Sequence, residues 1–327
     1  MFNMPGVKRG KPTQEVTLFK KASLLLGVPS QPVIPPLDPH IFPAKLLLFG
    51  EHVLLLGATA LALPVSAFGG QWAWSDQRDR HHDRLLQFAD SEALKGLGNI
   101  DVDQFKHDLK AGLYFQSNIP TGYGLGSSGA LCAAIYDRYA YEKTGDLVEL
   151  KSIFARMESF FHGNSSGIDP LTSFLGEPIL IEDKTSVKRA ALTKWPTEKP
   201  TVFLIDSNMP RQTAPLVTWF LEKSREAAFA EKLSAEYLPA HEALVQAWLL
   251  ADTEQFWVNL RRISAFQLEH FCPMIPQTLQ MFWKESFLRN DYVLKICGAG
   301  GGGFVLGFAL NDSKAQTLAA QIPIVFP

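Results

Sequence analysis

Apolar residues recur along this chain with two spacings, one typical of buried strands and one typical of amphipathic helices. The run Lys45–Gly50 predicts a buried strand that ends at a glycine turn. The polar stretch Gln71–Arg84 predicts a solvated loop or a helix start. Further strands are predicted at Ile179–Glu182, Thr201–Ile205, Val293–Cys297 and Phe304–Phe308. Helices are predicted at Asp101–Leu113, Ala130–Lys143, Leu150–Phe161, Leu216–Tyr237, His241–Leu250 and Thr253–Phe271. Because these elements do not alternate as regularly as in a doubly wound sheet, the sequence predicts an α+β fold.

Length and loop composition predict two folded domains after an N-terminal extension. A chain of 327 residues is longer than one small core requires. The proline-rich residues 29–43 predict a linker, and the loop around Pro196 predicts a domain boundary. We therefore expect an extension at residues 1–40, an N-terminal domain at 41–195 that binds the nucleotide, and a C-terminal domain at 196–327.

The composition is that of a folded globular protein and does not favour binding to nucleic acid. Apolar residues make up 46% of the chain and charged residues 20%. A formal net charge of -2 supplies no field that would attract nucleic acid or an anionic membrane, so neither is predicted as a partner. An anionic ligand must therefore be held by local hydrogen-bond donors.

Cysteine usage and hydropathy indicate a cytoplasmic protein. Cys132, Cys272 and Cys297 lie far apart and form no Cys-x-x-Cys pair, which favours buried thiols over a disulfide framework or a zinc site. No apolar run reaches the roughly 18 residues that suggest a membrane span. The short apolar stretch Ala22–Val28 follows several basic residues, so a signal peptide is the alternative to an N-terminal extension.

The segment Pro120–Ala130, Pro-Thr-Gly-Tyr-Gly-Leu-Gly-Ser-Ser-Gly-Ala, carries the most chemical information. Its glycines lack side chains, so backbone amides can close on a ligand, and an apolar helix follows directly. The free N–H groups at a helix N-terminus favour phosphate binding. A Walker P-loop is excluded because no lysine follows the last glycine. Two alternatives remain open from the residues alone, namely a dinucleotide fingerprint at Gly124–Gly129 and a flexible helix-entry loop.

Three segments resemble, in the same order, the motifs of one superfamily. Pro43–His52 resembles the first motif of the GHMP kinases, Pro120–Ala130 the central motif and Lys295–Phe304 the third. This superfamily includes galactokinase, homoserine kinase, mevalonate kinase and phosphomevalonate kinase. The resemblance spans residues 43–308. It implies the two-domain GHMP kinase fold, an active site in the inter-domain cleft, and the use of ATP and Mg²⁺.

Within the superfamily, the chain most resembles mevalonate kinases. Lys45 stands where galactokinases typically carry arginine, and homoserine kinases lack the step Gly50-Glu51-His52. The segment Glu158–Asp169 resembles the stretch that supplies a metal-binding glutamate and the catalytic aspartate in mevalonate kinases. The segment Asp206–Thr213 is similar to an element beside their substrate.

Two positions and the N-terminal extension of 40 residues depart from the mevalonate kinase pattern. Pro170 stands where mevalonate kinases usually have asparagine, and Gly129 replaces a common alanine.

The resemblance implies a catalytic pair. Asp169 is expected to accept the proton of the attacking hydroxyl. From the residues alone, Asp169 also fits a helix N-cap with Pro170 at the first helical position, and both roles can hold. Lys45 is expected at a strand end, aimed at Asp169, where a cation lowers the pKa of the attacking hydroxyl. The alternative for Lys45 is a side chain that snorkels from a strand edge.

The resemblance also implies the ligand contacts. Magnesium prefers hard oxygen ligands, and the candidates are Ser128 and Glu158, with surface solvation as the alternative for Glu158. The expected nucleotide contacts are Pro120, Gly122, Gly124, Leu125, Gly126, Ser127, Ser128, Gly129 and Ala130. The expected substrate contacts are Glu51, His52, Thr213 and Gly300. As alternatives, Glu51 anchors Lys45 or the loop, His52 and Thr213 are structural polar groups, and Gly300 belongs to a flexible hairpin turn.

The sequence thus predicts a kinase that transfers phosphate from ATP to the 5-hydroxyl of mevalonate or to a related alcohol. The nearest alternative is phosphomevalonate kinase or another GHMP small-molecule kinase. A non-catalytic GHMP-fold sensor and a nicotinamide-dependent oxidoreductase are alternatives from other classes. The oligomeric state is open, with a homodimer as one alternative.

Overall fold

The computed structural model describes residues 40–76, 81–183, 186–196, 199–209, 211, 213–319 and 324–325. Contacts group Pro39–Pro327 into one compact unit. Apart from His40, the predicted N-terminal extension lies outside the described residues. The division of the remainder at residues 195 and 196 stays a prediction.

A five-stranded antiparallel sheet contains the first predicted strand. Strand β1 (Phe42–Phe49) pairs with the long strand β2 (Ala60–Trp74), and Lys45 lies opposite Pro64. Strands β3 (Leu113–Ser117) and β4 (Ile179–Ile181) pair with opposite ends of β2. Strand β5 (Val187–Arg189) pairs with β4.

A second antiparallel sheet lies in the C-terminal part of the chain. Its strands are β6 (Thr201–Asp206), β7 (Tyr292–Ile296), β8 (Phe304–Ala309) and β9 (Ile324–Val325), in the order β7-β8-β6-β9. Every residue of β7 and β8 is buried, which agrees with their largely apolar sequence, and the one charged residue, Lys295, is paired. The strands predicted at Thr201–Ile205, Val293–Cys297 and Phe304–Phe308 are confirmed within one residue.

Among the described residues, six helices lie between β2 and β4. They are α1 (His82–Asp90), α2 (Glu92–Lys95), α3 (Val102–Lys110), α4 (Ser127–Tyr139), α5 (Leu147–His162) and α6 (Ile168–Leu175). Asp101 caps α3 by accepting a hydrogen bond from the Gln104 amide, and Asp146 caps α5 in the same way. Helices α4 and α6 pack against each other and against β1. Their N-termini therefore lie near Lys45.

The described residues of the C-terminal part form six further helices. They are α7 (Thr213–Lys223), α8 (Ala227–Lys232), α9 (Leu238–Leu250), α10 (Thr253–His270), α11 (Gln280–Arg289) and α12 (Asp312–Ala319). A π-helical turn, Leu233–Tyr237, joins α8 to α9. Short 3₁₀ turns occur at Val53–Leu56, Cys272–Met274 and Gln277–Leu279. None of the described helices combines the length and the apolar character needed to cross a bilayer.

Several predicted segments were wrong in part. The helix predicted at Leu216–Tyr237 is divided at residues 224–226, and the one predicted at Ala130–Lys143 is observed at Ser127–Tyr139. Gln71–Trp74 belongs to β2 and not to a solvated loop, because Trp72 is buried and packs against Phe105 and Tyr139. The helix predicted to reach Leu113 ends at Lys110, because Gly112 adopts a φ of +103°, and Leu113 begins β3. Residues 77–80 of the same polar stretch lie outside the described residues.

Candidate active site

Lys45 and Asp169 form an ion pair beside the glycine-rich segment. The Lys45 amide donates a hydrogen bond of 2.9 Å to the carbonyl oxygen of Leu125, which fixes the strand to that segment. The prediction that Lys45 lies at a strand end was wrong, because it is the fourth of the eight residues of β1. The strand begins before Lys45, at Phe42, and the side chains of Phe42 and Ala44 are buried.

Asp169 is the second residue of α6, so its predicted role as N-cap was wrong. The N-cap is Gly167, with a φ of +74°, and Pro170 is the third helical residue instead of the first. The helix begins earlier because Gly167, without a side chain, lies directly against the backbone of α5 at Lys151 and Ala155. Asp169 remains in the first turn, where the positive end of the helix dipole stabilises a carboxylate.

Ser128 and Glu158 come together as the sequence predicts for a metal site. The Ser128 hydroxyl donates a hydrogen bond of 2.9 Å to Glu158 Oε1, and the Ser165 hydroxyl donates one of 2.5 Å to Oε2. Glu158 is 5% exposed, so surface solvation was the wrong alternative. Burial, and then the negative charge of Asp169, raises the pKa of Glu158 to about 7. These hard oxygen atoms fit a magnesium ion that is shared with the phosphates of a nucleotide.

His162 is a residue of this cluster that the sequence analysis missed. Its Nε2 lies 2.8 Å from the Ser128 hydroxyl, at the last position of α5. Its position in the sequence, four residues after Glu158, places both side chains on one helical face, so helical spacing could have revealed it.

The glycine-rich segment forms the loop before α4 and the first turn of that helix. The predicted nucleotide contacts Pro120, Gly122, Gly124, Leu125, Gly126, Ser127, Ser128, Gly129 and Ala130 all lie there. Gly126 is the N-cap of α4 and has a φ of +72°. The amides at the start of α4 point out of the helix end, where they can bind phosphate oxygens.

Arg211 joins the central and third motifs, and the sequence analysis did not select it. Its guanidinium lies against Gly124 and Gly298, and Nη2 donates a hydrogen bond to the carbonyl oxygen of Cys297. Its Nε is buried and has no hydrogen-bond partner among the described residues. Arg211 belongs to the segment Asp206–Thr213, of which Pro210 and Gln212 lie outside the described residues. The available signal was the positive charge of Arg211 within a segment that the sequence analysis had already placed beside the substrate.

His52 joins the first and third motifs. Its Nε2 lies 3.1 Å from the carbonyl oxygen of Ala299, and its ring packs against Phe220 and Phe271. Burial lowers the pKa of His52 to about 4, so the ring is neutral at pH 7. Its Nδ1 is buried without a hydrogen-bond partner in the described part of the chain. That nitrogen is therefore available to a ligand or a water molecule.

Glu51 pairs with Lys295. The alternative in which Glu51 anchors Lys45 was therefore wrong. Lys295 Nζ lies 2.5 Å from Glu51 Oε1, and the two side chains are 2% and 1% exposed. Lys295 also donates a hydrogen bond of 2.8 Å to the carbonyl oxygen of Ile296. Burial raises the pKa of Glu51, and the positive charge of Lys295 opposes that effect. The pair fastens the turn after β1 to β7, which carries the third motif.

The remaining predicted substrate contacts, Gly300 and Thr213, lie in a loop and at the start of a helix. Gly300 lies in the loop between β7 and β8 with a φ of +74°, and a Cβ there would be 2.5 Å from the carbonyl oxygen of Met274. A glycine is therefore required by the fold at this position. Thr213 is the first residue of α7 and is exposed, and no hydrogen bond joins it to another predicted site residue within the described part of the chain.

The sequence matches a known family over part of the chain that builds this site. The family described as GHMP kinases N terminal domain matches residues 92–177, which include the glycine-rich segment, Glu158 and Asp169. The mevalonate kinase of Archaeoglobus fulgidus is 28% identical over 307 residues, covering 85% of this chain and 95% of that protein.

Solved kinase structures share the fold. A crystal structure of L. major mevalonate kinase in complex with R-mevalonate matches with a TM-score of 0.63 and 18% identity, covering 88% of this chain and 95% of that one. Streptococcus pneumoniae phosphomevalonate kinase matches with a TM-score of 0.61 and 16% identity, covering 88% and 96%. At these identities the structural likeness establishes the α+β GHMP kinase fold and does not distinguish between substrates.

Proposed function

We propose that this chain, which belongs to the GHMP kinases, transfers the γ-phosphoryl group of ATP to the 5-hydroxyl of mevalonate. The observation that carries the proposal is the ion pair between Lys45 and Asp169, located where the glycine-rich segment meets β1. A base and a cation next to a phosphate-binding helix N-terminus are the parts that phosphoryl transfer to an alcohol requires.

In the proposed reaction, Asp169 accepts the proton of the attacking hydroxyl while the Lys45 ammonium stabilises the negative charge that develops on the oxygen. The charge of Lys45 already faces Asp169 before any ligand binds. Little reorganisation is then needed when the substrate hydroxyl arrives, which favours the transition state.

The start of α4 and its preceding loop are the proposed site of the ATP phosphates. We assign Mg²⁺ to the Ser128 hydroxyl and the Glu158 carboxylate, which lie 2.9 Å apart. When bound, Mg²⁺ neutralises charge on the phosphates. Glu158 must bind it as a carboxylate, and Ser165 orients that group through its hydrogen bond.

Mevalonate carries a carboxylate in addition to its hydroxyl, so its site needs a cation away from Lys45. Arg211 supplies one between Gly124 and Gly298, with a buried Nε that has no partner among the described residues. His52, Thr213, Gly300 and Glu51 remain proposed substrate contacts. We place the whole site in a cleft between domains at 41–195 and 196–327.

ADP release measured with mevalonate, phosphomevalonate, galactose and homoserine tests this function. We expect mevalonate to support ADP release far better than the other three. Turnover of phosphomevalonate without turnover of mevalonate would assign the chain to phosphomevalonate kinase instead. ATP and ligand binding without turnover would indicate a sensor, and a bound nicotinamide cofactor would indicate an oxidoreductase.

The cellular location and the oligomeric state are also proposals. We propose a cytoplasmic location, a reducing compartment that suits the widely separated cysteines Cys132, Cys272 and Cys297. A homodimer is the proposed assembly to be tested by the molecular mass in solution.

A further inference from the structure

Gly129 lies in α4 directly against the predicted catalytic residue. A Cβ built at Gly129 would be 2.8 Å from the carbonyl carbon of Asp169, 2.8 Å from the nitrogen of Pro170 and 2.9 Å from the Cβ of Asp169. Contacts of a Cβ atom below 3.0 Å essentially never occur in proteins. Two of these atoms belong to the backbone, so a side chain at 129 requires the start of α6 to move.

A second glycine of the same segment also lies against Asp169. A Cβ at Gly126 would be 3.2 Å from both Cβ and Oδ2 of Asp169. The residue between Gly124 and Gly126, Leu125, accepts the hydrogen bond from the Lys45 amide. The loop backbone thus contacts both members of the Lys45–Asp169 pair. The distance between Asp169 and this loop therefore affects the distance between Asp169 and Lys45.

Pro170 limits how far the backbone at the start of α6 can move. Its ring fixes φ near -65° and occupies space next to the backbone nitrogen that Gly129 approaches. At the third helical position it loses no intrahelical hydrogen bond, because the first amides of a helix have no acceptor within it. A proline at this position is therefore tolerated, but it makes the segment that follows Asp169 stiff.

We propose that Gly129 and Pro170 are a matched pair of positioning residues that set the distance of Asp169 from the phosphate-binding loop. The absence of a side chain at position 129 lets the start of α6 lie close to α4. The ring of Pro170 restricts the backbone of α6 and so keeps it at that distance. The effect of the pair on catalysis rests on the proposed function, whereas its packing does not.

The test is a double-mutant cycle with Gly129→Ala, Pro170→Ala and the double variant. Gly129→Ala should lower the melting temperature with Pro170 present, although alanine has the higher helix propensity. In the Pro170→Ala background the same substitution should leave the melting temperature unchanged or raise it. Gly145→Ala is the matched control, since a Cβ at Gly145 meets no atom within 4 Å.

The same four proteins separate positioning from packing. In Gly129→Ala, kcat should fall about 10-fold to 100-fold, the effect of misplacing a catalytic group by up to about 1 Å. The affinity for ADP, measured without turnover, should fall less than kcat does, since alanine keeps the backbone amide of this predicted nucleotide contact. The double variant should recover most of kcat.

Each outcome decides a separate question. Melting temperatures that add without coupling would overturn the matched pair, and coupled stabilities with an unchanged kcat would overturn its positioning role. If Gly129→Ala does not fold, a folded and active double variant supports the pair, and an unfolded one contradicts it. A parent protein that phosphorylates none of the alcohols would remove the proposed function, while the melting temperatures would still decide whether the two residues are matched.

Discussion

The ammonium group of Lys45 on β1 pairs with the carboxylate of Asp169 in the first turn of α6. Their side chains are 10% and 27% exposed, so Asp169 is the member that solvent or a ligand can reach. A partly shielded pair keeps more of its electrostatic attraction than a surface pair does. The carboxylate is thus held at one position while its outer side stays open to a substrate hydroxyl.

Replacing the proposed base should abolish most of the activity and preserve the fold. Asp169→Asn cannot accept the hydroxyl proton, so kcat should fall by about two orders of magnitude or more. The fold should persist, because Gly167 is the N-cap and asparagine can still accept a hydrogen bond from Lys45. Asp137→Asn, which removes a carboxylate paired with Lys143 on the surface, is the control. A folded Asp169→Asn protein with near-parental kcat would leave Asp169 only a structural role.

The metal assignment predicts a change in magnesium dependence. Ser128→Ala removes an oxygen ligand, and Glu158→Gln replaces a charged carboxylate with a neutral amide. The magnesium concentration that gives half-maximal activity should therefore rise at least several-fold in each variant. Glu149→Gln alters an exposed carboxylate on the same helix and should behave like the parent. If all three variants titrate with magnesium as the parent does, Ser128 and Glu158 are not the ligands.

The buried ring of His52 predicts how stability depends on pH. Its pKa is about 4 in the folded protein and about 6.5 in the unfolded chain, so the unfolded state binds more protons between these values. Stability contributed by the neutral ring is present above pH 6.5 and is lost as the pH falls towards 4.

Denaturant unfolding at pH 7 and pH 5 measures this loss. The parent should lose about 2 kcal/mol more than His52→Asn over that interval. Asparagine does not titrate and tolerates the positive φ of +65° at this position. An equal loss in both proteins would mean that folding does not shift the pKa of His52.

Removal of only one partner of the buried Glu51–Lys295 pair should lower the stability of the fold more than removal of both. Lys295→Met leaves the Glu51 carboxylate buried without its counter-charge and should lower the free energy of unfolding by about 3–5 kcal/mol. The double variant Glu51→Gln, Lys295→Met should recover a large part of that loss. Denaturant unfolding of the four proteins of the cycle measures the coupling, and additive effects would show that the pair is not an energetic unit.

Local sequence signals predicted the motif-bearing parts of the site well. The glycines of Pro120–Ala130 require a loop at a helix start, and the structure has α4 beginning at Ser127. The largely apolar sequence at Val293–Cys297 and Phe304–Phe308 predicted the two strands on either side of Gly298–Gly303. These features depend on residues close together in the chain, which is why a pattern can reveal them.

Contacts between distant segments were harder to predict. The N-cap of α6 is Gly167 because the glycine packs against α5, and no local pattern around Asp169 contains that information. Lys295 as the partner of Glu51, and Arg211 between Gly124 and Gly298, depend on how three separate segments pack. Sequence spacing predicts which side chains share an element, whereas the partners across elements follow from the packing.

The fate of the γ-phosphoryl group tests the central claim most directly. The parent protein is incubated with ATP labelled at the γ-phosphate, magnesium and mevalonate, and the phosphorus-containing products are separated and identified. We predict that the label moves to a phosphate ester on the 5-hydroxyl of mevalonate, with one ADP formed for each ester, and that Asp169→Asn forms little of it. Label that stays in ATP, or that appears only as inorganic phosphate, would contradict the account.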